Sequence, residues 1–233
     1  MKIELIGTGC TWTKRLSTSF IINDHIMLDC PQGSFKTMFN SGKLDKIDTV
    51  IISHYHSDHW ADLHLFVEIL KNRKVTRSTK IYAPDGFWEK FESVCNAFRL
   101  PKTLTYAQTH LSFNKLTNGK VFKSGNLNIT AYTVKHIPDS FGFAISEGQK
   151  TIGFSCDTAM CENLVKIIKK SKAIFIDMAA IYPSYKHLSV NDVINLKKEF
   201  ENVDFYPIHL SKFSIAAAKN KMRLPKDGDV FEL

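Results

Sequence analysis

Short apolar runs alternate along the chain with stretches in which apolar residues recur every three or four positions. The first pattern marks strands and the second marks helices. Strands are predicted at Lys2–Ile6, Phe20–Ile22, Ile26–Leu28, Thr49–Ile52, Lys80–Tyr82, Leu104–Thr109, Leu127–Val134, Phe141–Ile145, Thr151–Phe154, Ala173–Ile176 and Asp204–Ile208. Helices are predicted at Gly33–Asn40, Trp60–Asn72, Asp85–Phe98, Glu162–Lys170, Val190–Phe200 and Ile215–Asn220. Ser189 and Asp192 are spaced to cap the Val190 helix. Gly119, Gly125 and Gly148 fall between strands and suit hairpin turns. No repeat, linker or low-complexity tract divides the sequence, so residues 1–233 read as one α/β domain with helices outside packed sheets.

Composition narrows this only a little. A chain of 233 residues with 44% hydrophobic content can bury a sizeable core. No apolar run approaches the roughly 18–20 residues that span a bilayer. The opening Met1-Lys2-Ile3-Glu4-Leu5-Ile6-Gly7 is too short and too charged for a secretory segment, so a cytoplasmic protein with no membrane partner is expected. The five cysteines (Cys10, Cys30, Cys95, Cys156, Cys161) form no CxxC pair and read as reduced, mostly buried thiols. A net charge of +8 suits an anionic partner, although surplus lysines also serve solubility.

The chemistry concentrates after one strand. Val50-Ile51-Ile52 runs through Ser53 into His54-Tyr55-His56-Ser57-Asp58-His59, and Trp60-Ala61-Asp62-Leu63 opens a helix. Four potential ligands in six residues, at a strand-to-helix turn, can converge on one point. Imidazole and carboxylate suit zinc, manganese or iron without any thiolate. With only nine histidines in the chain, a chance cluster of this density is a poor explanation. Further ligands are offered by a recurring device, an apolar strand that ends in histidine or aspartate: His136, Asp157, Asp177 and His209. Alone, each is as well explained as a boundary residue or a helix cap. Repeated along one sheet edge, they mark the place where α/β proteins build sites.

Taken in order, HxHxDH, the isolated His136, Cys156-Asp157-Thr158 and His209-Leu210-Ser211 resemble the successive metal motifs of the metallo-β-lactamase superfamily. Leu5-Ile6-Gly7-Thr8-Gly9, Ile26-Met27-Leu28-Asp29-Cys30 and the closing Pro225-Lys226-Asp227-Gly228-Asp229 extend the resemblance over nearly the whole chain. It implies a four-layer αββα sandwich and a hydrolase with two divalent metal ions, zinc foremost and manganese as the alternative. It implies His54, His56 and His136 on one ion, Asp58, His59 and His209 on the other, and Asp157 bridging. Asp58 is counted among the catalytic candidates as well as the ligands.

Asp177-Met178-Ala179-Ala180 followed by His187-Leu188-Ser189 resembles the Glu and His that ribonuclease Z and its relatives place beside the metals to protonate the leaving oxygen. This chain departs by having Asp177 in place of Glu, and Cys156 in place of the usual Gly before the bridging Asp. Only Ile137 to Cys156 separates His136 from Asp157, which leaves no room for the tRNA-gripping arm of bacterial ribonuclease Z. The chain is therefore similar to the small phosphodiesterases of this fold, including those that open cyclic nucleotides. The expected substrate is a nucleotide, with a cyclic nucleotide favoured, or a short nucleic acid, and the expected assembly is a homodimer. The rival readings are a ribonuclease Z-like RNA endonuclease, a lactonase or thioesterase of the same fold, and a non-catalytic binding protein on this scaffold. Three secondary features are ambiguous. Lys71–Lys80 could track phosphates or be a solvated link, Phe141-Gly142-Phe143 could face a base or be core, and Lys14-Arg15 could meet a phosphate or be loop charge.

Overall fold

The computed structural model describes residues 1–233. Thirteen strands form two sheets. The first contains β1 (Lys2–Gly7), β2 (Ser19–Ile22), β3 (Ile26–Leu28), β4 (Thr49–Ile51), β5 (Thr79–Ala83), β6 (Leu111–Lys115) and β13 (Val230–Glu232), in the order β13-β1-β2-β3-β4-β5-β6. The second contains β7 (Val121–Ser124), β8 (Leu127–Thr133), β9 (Phe141–Glu147), β10 (Lys150–Phe154), β11 (Ala173–Asp177) and β12 (Asp204–Ile208), in the order β12-β11-β10-β9-β8-β7.

Strand alternation builds the layers. Ala173 and Phe175 of β11 face the other sheet, whereas Ile174 and Ile176 face the helices. Between the sheets, Phe20 meets Phe154 and Phe175 edge-on at centroid separations of 5.0 and 5.3 Å. Each such pair adds about 0.5–1.5 kcal/mol beyond its buried area. On the outer face of the first sheet pack α1 (Ser34–Asn40), α3 (Leu63–Asn72), α4 (Phe87–Ala97) and α5 (Pro101–His110), through residues such as Met38, Phe66, Phe91 and Ala107. On the outer face of the second pack α6 (Glu162–Lys170), α7 (Val190–Glu199) and α8 (Lys212–Ala218), through Leu164, Val193 and Ala218. The result is the αββα sandwich.

Strands β3 to β6 run parallel, as do β10 to β12, so their C-terminal ends share one edge. Asp29, Asp157, Asp177 and His209 all stand on or just beyond such ends. Three residues on this edge, Asp29 (φ 62°), Cys156 (φ 47°) and His209 (φ 54°), adopt left-handed backbone conformations. Non-glycine residues held there carry strain that typically gathers at functional sites.

The expected strand at Leu104–Thr109 is instead helix α5. Pro101 starts the helix, and Thr103 and Ala107, one helical turn apart, are its buried residues. Its threonines imitate a strand composition. The expected Trp60–Asn72 helix is split into α2 (Ser57–Trp60) and α3. Cys30 intrudes at the break: its N–H donates to the His59 carbonyl at 2.7 Å, and its own carbonyl accepts from the Asp62 N–H at 3.0 Å. Strands β6, β7 and β13 were not expected. Gly125 and Gly148 close the hairpins β7–β8 and β9–β10, but Gly119 turns the chain from the first sheet into the second. Ser189 and Asp192 form a full capping box at the start of α7. No helix is long and apolar enough to cross a membrane.

Candidate metal centre

Helix α2 begins at the edge reached by β4. This sets His54 and His56 before its first turn and Asp58 and His59 within it. His136 follows β8, Asp157 follows β10, and His209 follows β12. Their ligand atoms gather into two groups, His54, His56, His136 and Asp157 in one and Asp58, His59 and His209 in the other, and a third set of Asp157, His187 and His209 overlaps both, each set with its atoms within 4.8 Å of one another.

The Asp157 carboxylate lies between the groups. Its Oδ2 is 3.9 Å from His54 Nε2 and 3.7 Å from His136 Nε2 on one side. On the other it is 3.3 Å from both His59 Nε2 and His209 Nε2. His56 Nδ1 and His136 Nε2 approach to 3.0 Å, a spacing suited to two donors on one cation. Asp58 Oδ2 is 3.4 Å from His209 Nε2.

Outer partners aim the rings. Asp29, buried, accepts the Ser53 N–H at 2.7 Å, the Ser53 hydroxyl at 2.8 Å and His59 Nδ1–H at 2.7 Å. With its own proton given to Asp29, the Ser53 oxygen accepts His54 Nδ1–H at 3.0 Å. His136 Nδ1 donates to the Lys186 carbonyl at 3.0 Å. In each case the outward nitrogen is engaged and Nε2 is turned to the centre, the arrangement that orients metal-bound histidines.

The fit to cations rests on what these atoms lack. His54 Nε2, His59 Nε2 and Asp157 Oδ1 are buried at the centre without a hydrogen-bond partner. A cluster of buried, unbonded donor atoms is costly in a polypeptide unless an ion joins them. The set is all nitrogen and oxygen, which suits divalent zinc or manganese.

The electrostatics divide the site. Burial pushes His54 well below the usual histidine range, and lowers His56 and His136, so these three rings are neutral, the form a metal needs. Burial also opposes charge on His59, but the Asp157 and Asp29 carboxylates outweigh it and raise the ring to about 10. His209 behaves likewise, with burial overridden by Asp157, Asp177 and Asp58. Burial would raise Asp157, yet the His209 and His59 charges hold it well below the usual carboxylate range.

Beside the centre, His187 Nδ1 donates to Asp177 Oδ2 at 2.9 Å. The His187 ring stacks on His209 with centroids 5.1 Å apart. Burial lowers its proton affinity, but the Asp177 hydrogen bond and charge more than compensate, and its pKa is raised. Asp177 is fully buried and also accepts the Thr158 N–H at 2.9 Å and the Ala179 N–H at 2.9 Å. It is therefore a turn-builder as well as a partner for His187. Around these residues lies a cleft of about 280 Å³, bordered by Thr11, Trp12, His56, Asp58, His187 and His209.

All the residues singled out in the sequence for metal or catalysis meet at this edge. Asp29 and Ser53 were not among them. Asp29 ends strand β3 in an acid, the same device that marked the others. The secondary features fall differently. Lys71–Lys80 enters β5 at its N-terminal end, away from the site, where Arg73 pairs with Asp45 and Arg77 donates to the Ile47 carbonyl at 2.6 Å. Phe141 and Phe143 are core. Arg15 is tied to Thr8 and to the Pro225 carbonyl, while Lys14 is exposed. Burial pushes the Cys156 thiol well above its usual range, so this thiol stays protonated.

Comparison with known proteins agrees with this architecture. The metallo-β-lactamase fold protein YhfI from Bacillus subtilis superimposes with a TM-score of 0.82 at 20% identity, over 99% of this chain and 98% of that one. The short form of human tRNase Z superimposes at 0.77 with 16% identity, over 100% and 99% of the two chains. Ribonuclease BN from Escherichia coli is 31% identical over 128 residues, 53% of this chain and 39% of the length of that relative. The model of the family described as anti-Pycsar protein Apyc1 matches residues 1–230, nearly the full chain, and the chain belongs to that family.

Proposed function

We propose that the protein is a metal-dependent phosphodiesterase that hydrolyses a nucleotide, a cyclic nucleotide in preference to a short nucleic acid. The observation that carries this reading is the Asp177–His187 pair, at 2.9 Å, beside the two ligand groups that share Asp157. Lactams and thioesters release nitrogen or a thiolate. A phosphodiester of a sugar releases an alkoxide, a strong base that needs a proton as its bond breaks.

In this reading His54, His56 and His136 would hold one divalent cation and Asp58, His59 and His209 a second, with Asp157 available to either. When bound, such cations make water a nucleophile near neutral pH and draw charge from a phosphoryl group. The chain's own residues do the rest. Asp177 accepts from His187 Nδ1, which fixes the ring and leaves Nε2 on the cleft side carrying a proton. As the oxygen of water adds to phosphorus and the P–O bond to the sugar breaks, His187 delivers that proton to the departing oxygen, and the proton released by the water passes to solvent, from which His187 is reprotonated. For a cyclic nucleotide the product is a nucleoside monophosphate.

The alternative of a ribonuclease Z-like endonuclease draws support from the tRNase Z and ribonuclease BN likenesses. Against it, residues between His136 and Asp157 make a single β9–β10 hairpin. A homodimer remains part of the proposal. Trp12, which borders the cleft, is 83% exposed, and Tyr182 and Tyr185, in the loop between Ala179 and His187, are 75% and 87% exposed, whereas Trp60 is half-buried and donates to the Tyr55 carbonyl. Light scattering should find about twice the 26.5 kDa of one chain.

The test is a substrate panel on the metal-loaded protein: cyclic mononucleotides, cyclic dinucleotides, single-stranded RNA, a tRNA precursor, a thioester and a β-lactam. Turnover of cyclic nucleotides above the others supports the reading. Preference for the tRNA precursor supports the endonuclease, and preference for the thioester or lactam overturns both.

A further inference from the structure

A second cavity, of about 360 Å³, opens next to the metal cleft. Its walls come from α2, the start of α3, α4 and the loop between β3 and α1. Trp60, Phe91, Val94 and Phe98 make it apolar, and Gln32, Ser57 and His64 supply its polar groups. Such a mixture, a largely apolar hollow with a few polar groups, is the usual character of a small-molecule site.

The cavity is joined to the cleft. A narrow recess between them shares Gln32 and Ser57 with the apolar cavity, and shares Thr11 and Asp58 with the metal cleft. The three hollows thus adjoin through common walls, with Asp58 and His187 at one end of the row and Trp60 and Phe98 at the other.

We propose that this cavity receives the base of the nucleotide, and that Phe98 and Gln32 set how strongly the base is held. The inference rests on the nucleotide reading of the metal cleft. Three observations fit a flat, neutral, hydrogen-bonding ring. The Phe98 and His64 rings stack at 4.9 Å with only 24° between their planes, which offers a planar aromatic wall. Phe98 is 60% exposed, so its ring surface is open to a stacking partner. The polar groups are free for a ligand: Gln32 makes no hydrogen bond within the protein, and His64 uses Nδ1 on the Ala61 carbonyl at 2.8 Å, leaving Nε2. The one carboxylate in the wall is already engaged, since Asp62 Oδ2 accepts the Gly33 and Phe35 N–H groups at 2.8 and 3.2 Å. Trp60 likewise has its ring N–H on Tyr55, so it presents only apolar surface. An amide offers both a donor and an acceptor, and every base has an edge that can use them. The cavity thus grips a base without demanding one base.

The experiment is calorimetric titration of the metal-loaded protein with a nucleoside 5′-monophosphate and with ribose 5-phosphate, which has the same phosphate and sugar but no base. Wild type should bind the nucleotide about tenfold tighter or more, the scale of one base stacked on an aromatic side chain. Phe98→Ala should remove most of that ratio and Gln32→Ala part of it, with binding of ribose 5-phosphate unchanged in both. Both positions are exposed, so both variants should fold as wild type. Equal binding of the two ligands by wild type, or a ratio that survives Phe98→Ala, overturns the proposal. Turnover of a cyclic mononucleotide, measured on the same samples, separates the two claims. No turnover together with a base-dependent ratio that Phe98→Ala abolishes would refute the hydrolysis and support the cavity. Turnover without that ratio would do the reverse.

Discussion

His187→Ala removes the imidazole that belongs to neither proposed ligand triad, so it should separate proton delivery from metal binding. A positioned general acid contributes about 10²–10⁴-fold, which is roughly 3–5 kcal/mol of barrier. The structure favours the lower half of that range. The His187 side chain is 24% exposed, so water can partly replace it as a proton source. We therefore expect a loss of about 10²–10³-fold on a cyclic mononucleotide, whose leaving group is an alkoxide. On bis(4-nitrophenyl) phosphate the leaving phenolate needs no proton, and the loss should stay within a few-fold. Metal content should not change. Asp177→Asn should move the basic limb of the pH–rate profile to lower pH, because the carboxylate is what raises the His187 pKa. Bound cations offset wild type and variant alike, so the direction of the shift survives them. Asparagine also puts an NH₂ group against either the Ala179 or the Thr158 N–H, so this variant should lose about 1–3 kcal/mol of stability as well. Equal losses of His187→Ala on both substrates would mean that the residue positions phosphate. Unchanged rates would remove it from the mechanism.

Asp29→Asn should weaken metal binding about 10–100-fold, by competition with a chromogenic chelator, because the Ser53, His54 and His59 side chains all take their orientation from that carboxylate. Metal uptake near neutral pH should release protons, seen as buffer-dependent calorimetric heats, and should tighten as pH rises, since His59 must lose the proton it holds with a pKa of about 10. In the metal-free protein the sign is opposite: the His59 contribution to stability is complete below its ordinary 6.5 and fades as pH climbs toward about 10, so the apo protein should melt lower at alkaline pH. Gly7→Ala should lower the melting temperature by roughly 5–10 °C, because its Cβ would sit 2.1 Å from the Ser17 carbonyl oxygen and neither partner is a movable side chain.

Much of this was legible in the sequence because the site depends on strand ends. A strand that stops in His or Asp is visible as an apolar run followed by a polar residue, and His136, Asp157, Asp177 and His209 all have that form. The short-range cluster His54–His59 needed no tertiary knowledge. What escaped depends on partners distant in sequence. Strand β13 is only three residues, and exists because Val230–Glu232 pair with β1 from the far end of the chain. Helix α5 carries threonines that favour strands, yet packing against the first sheet decides for helix. Asp29 ends β3, but its function appears only when Ser53 and His59, far along the chain, turn their donors onto it. The division of the five ligand histidines into three neutral rings and two cationic ones follows from burial and from neighbouring carboxylates. Neither is written in local spacing.

The shared centre is tested most directly by metal content per chain, measured by elemental analysis after loading and desalting. Wild type should retain about two divalent ions per chain, and Asp157→Ala well under one, because a carboxylate serving both groups is lost. No retained metal in wild type, or two ions kept by Asp157→Ala, would contradict it.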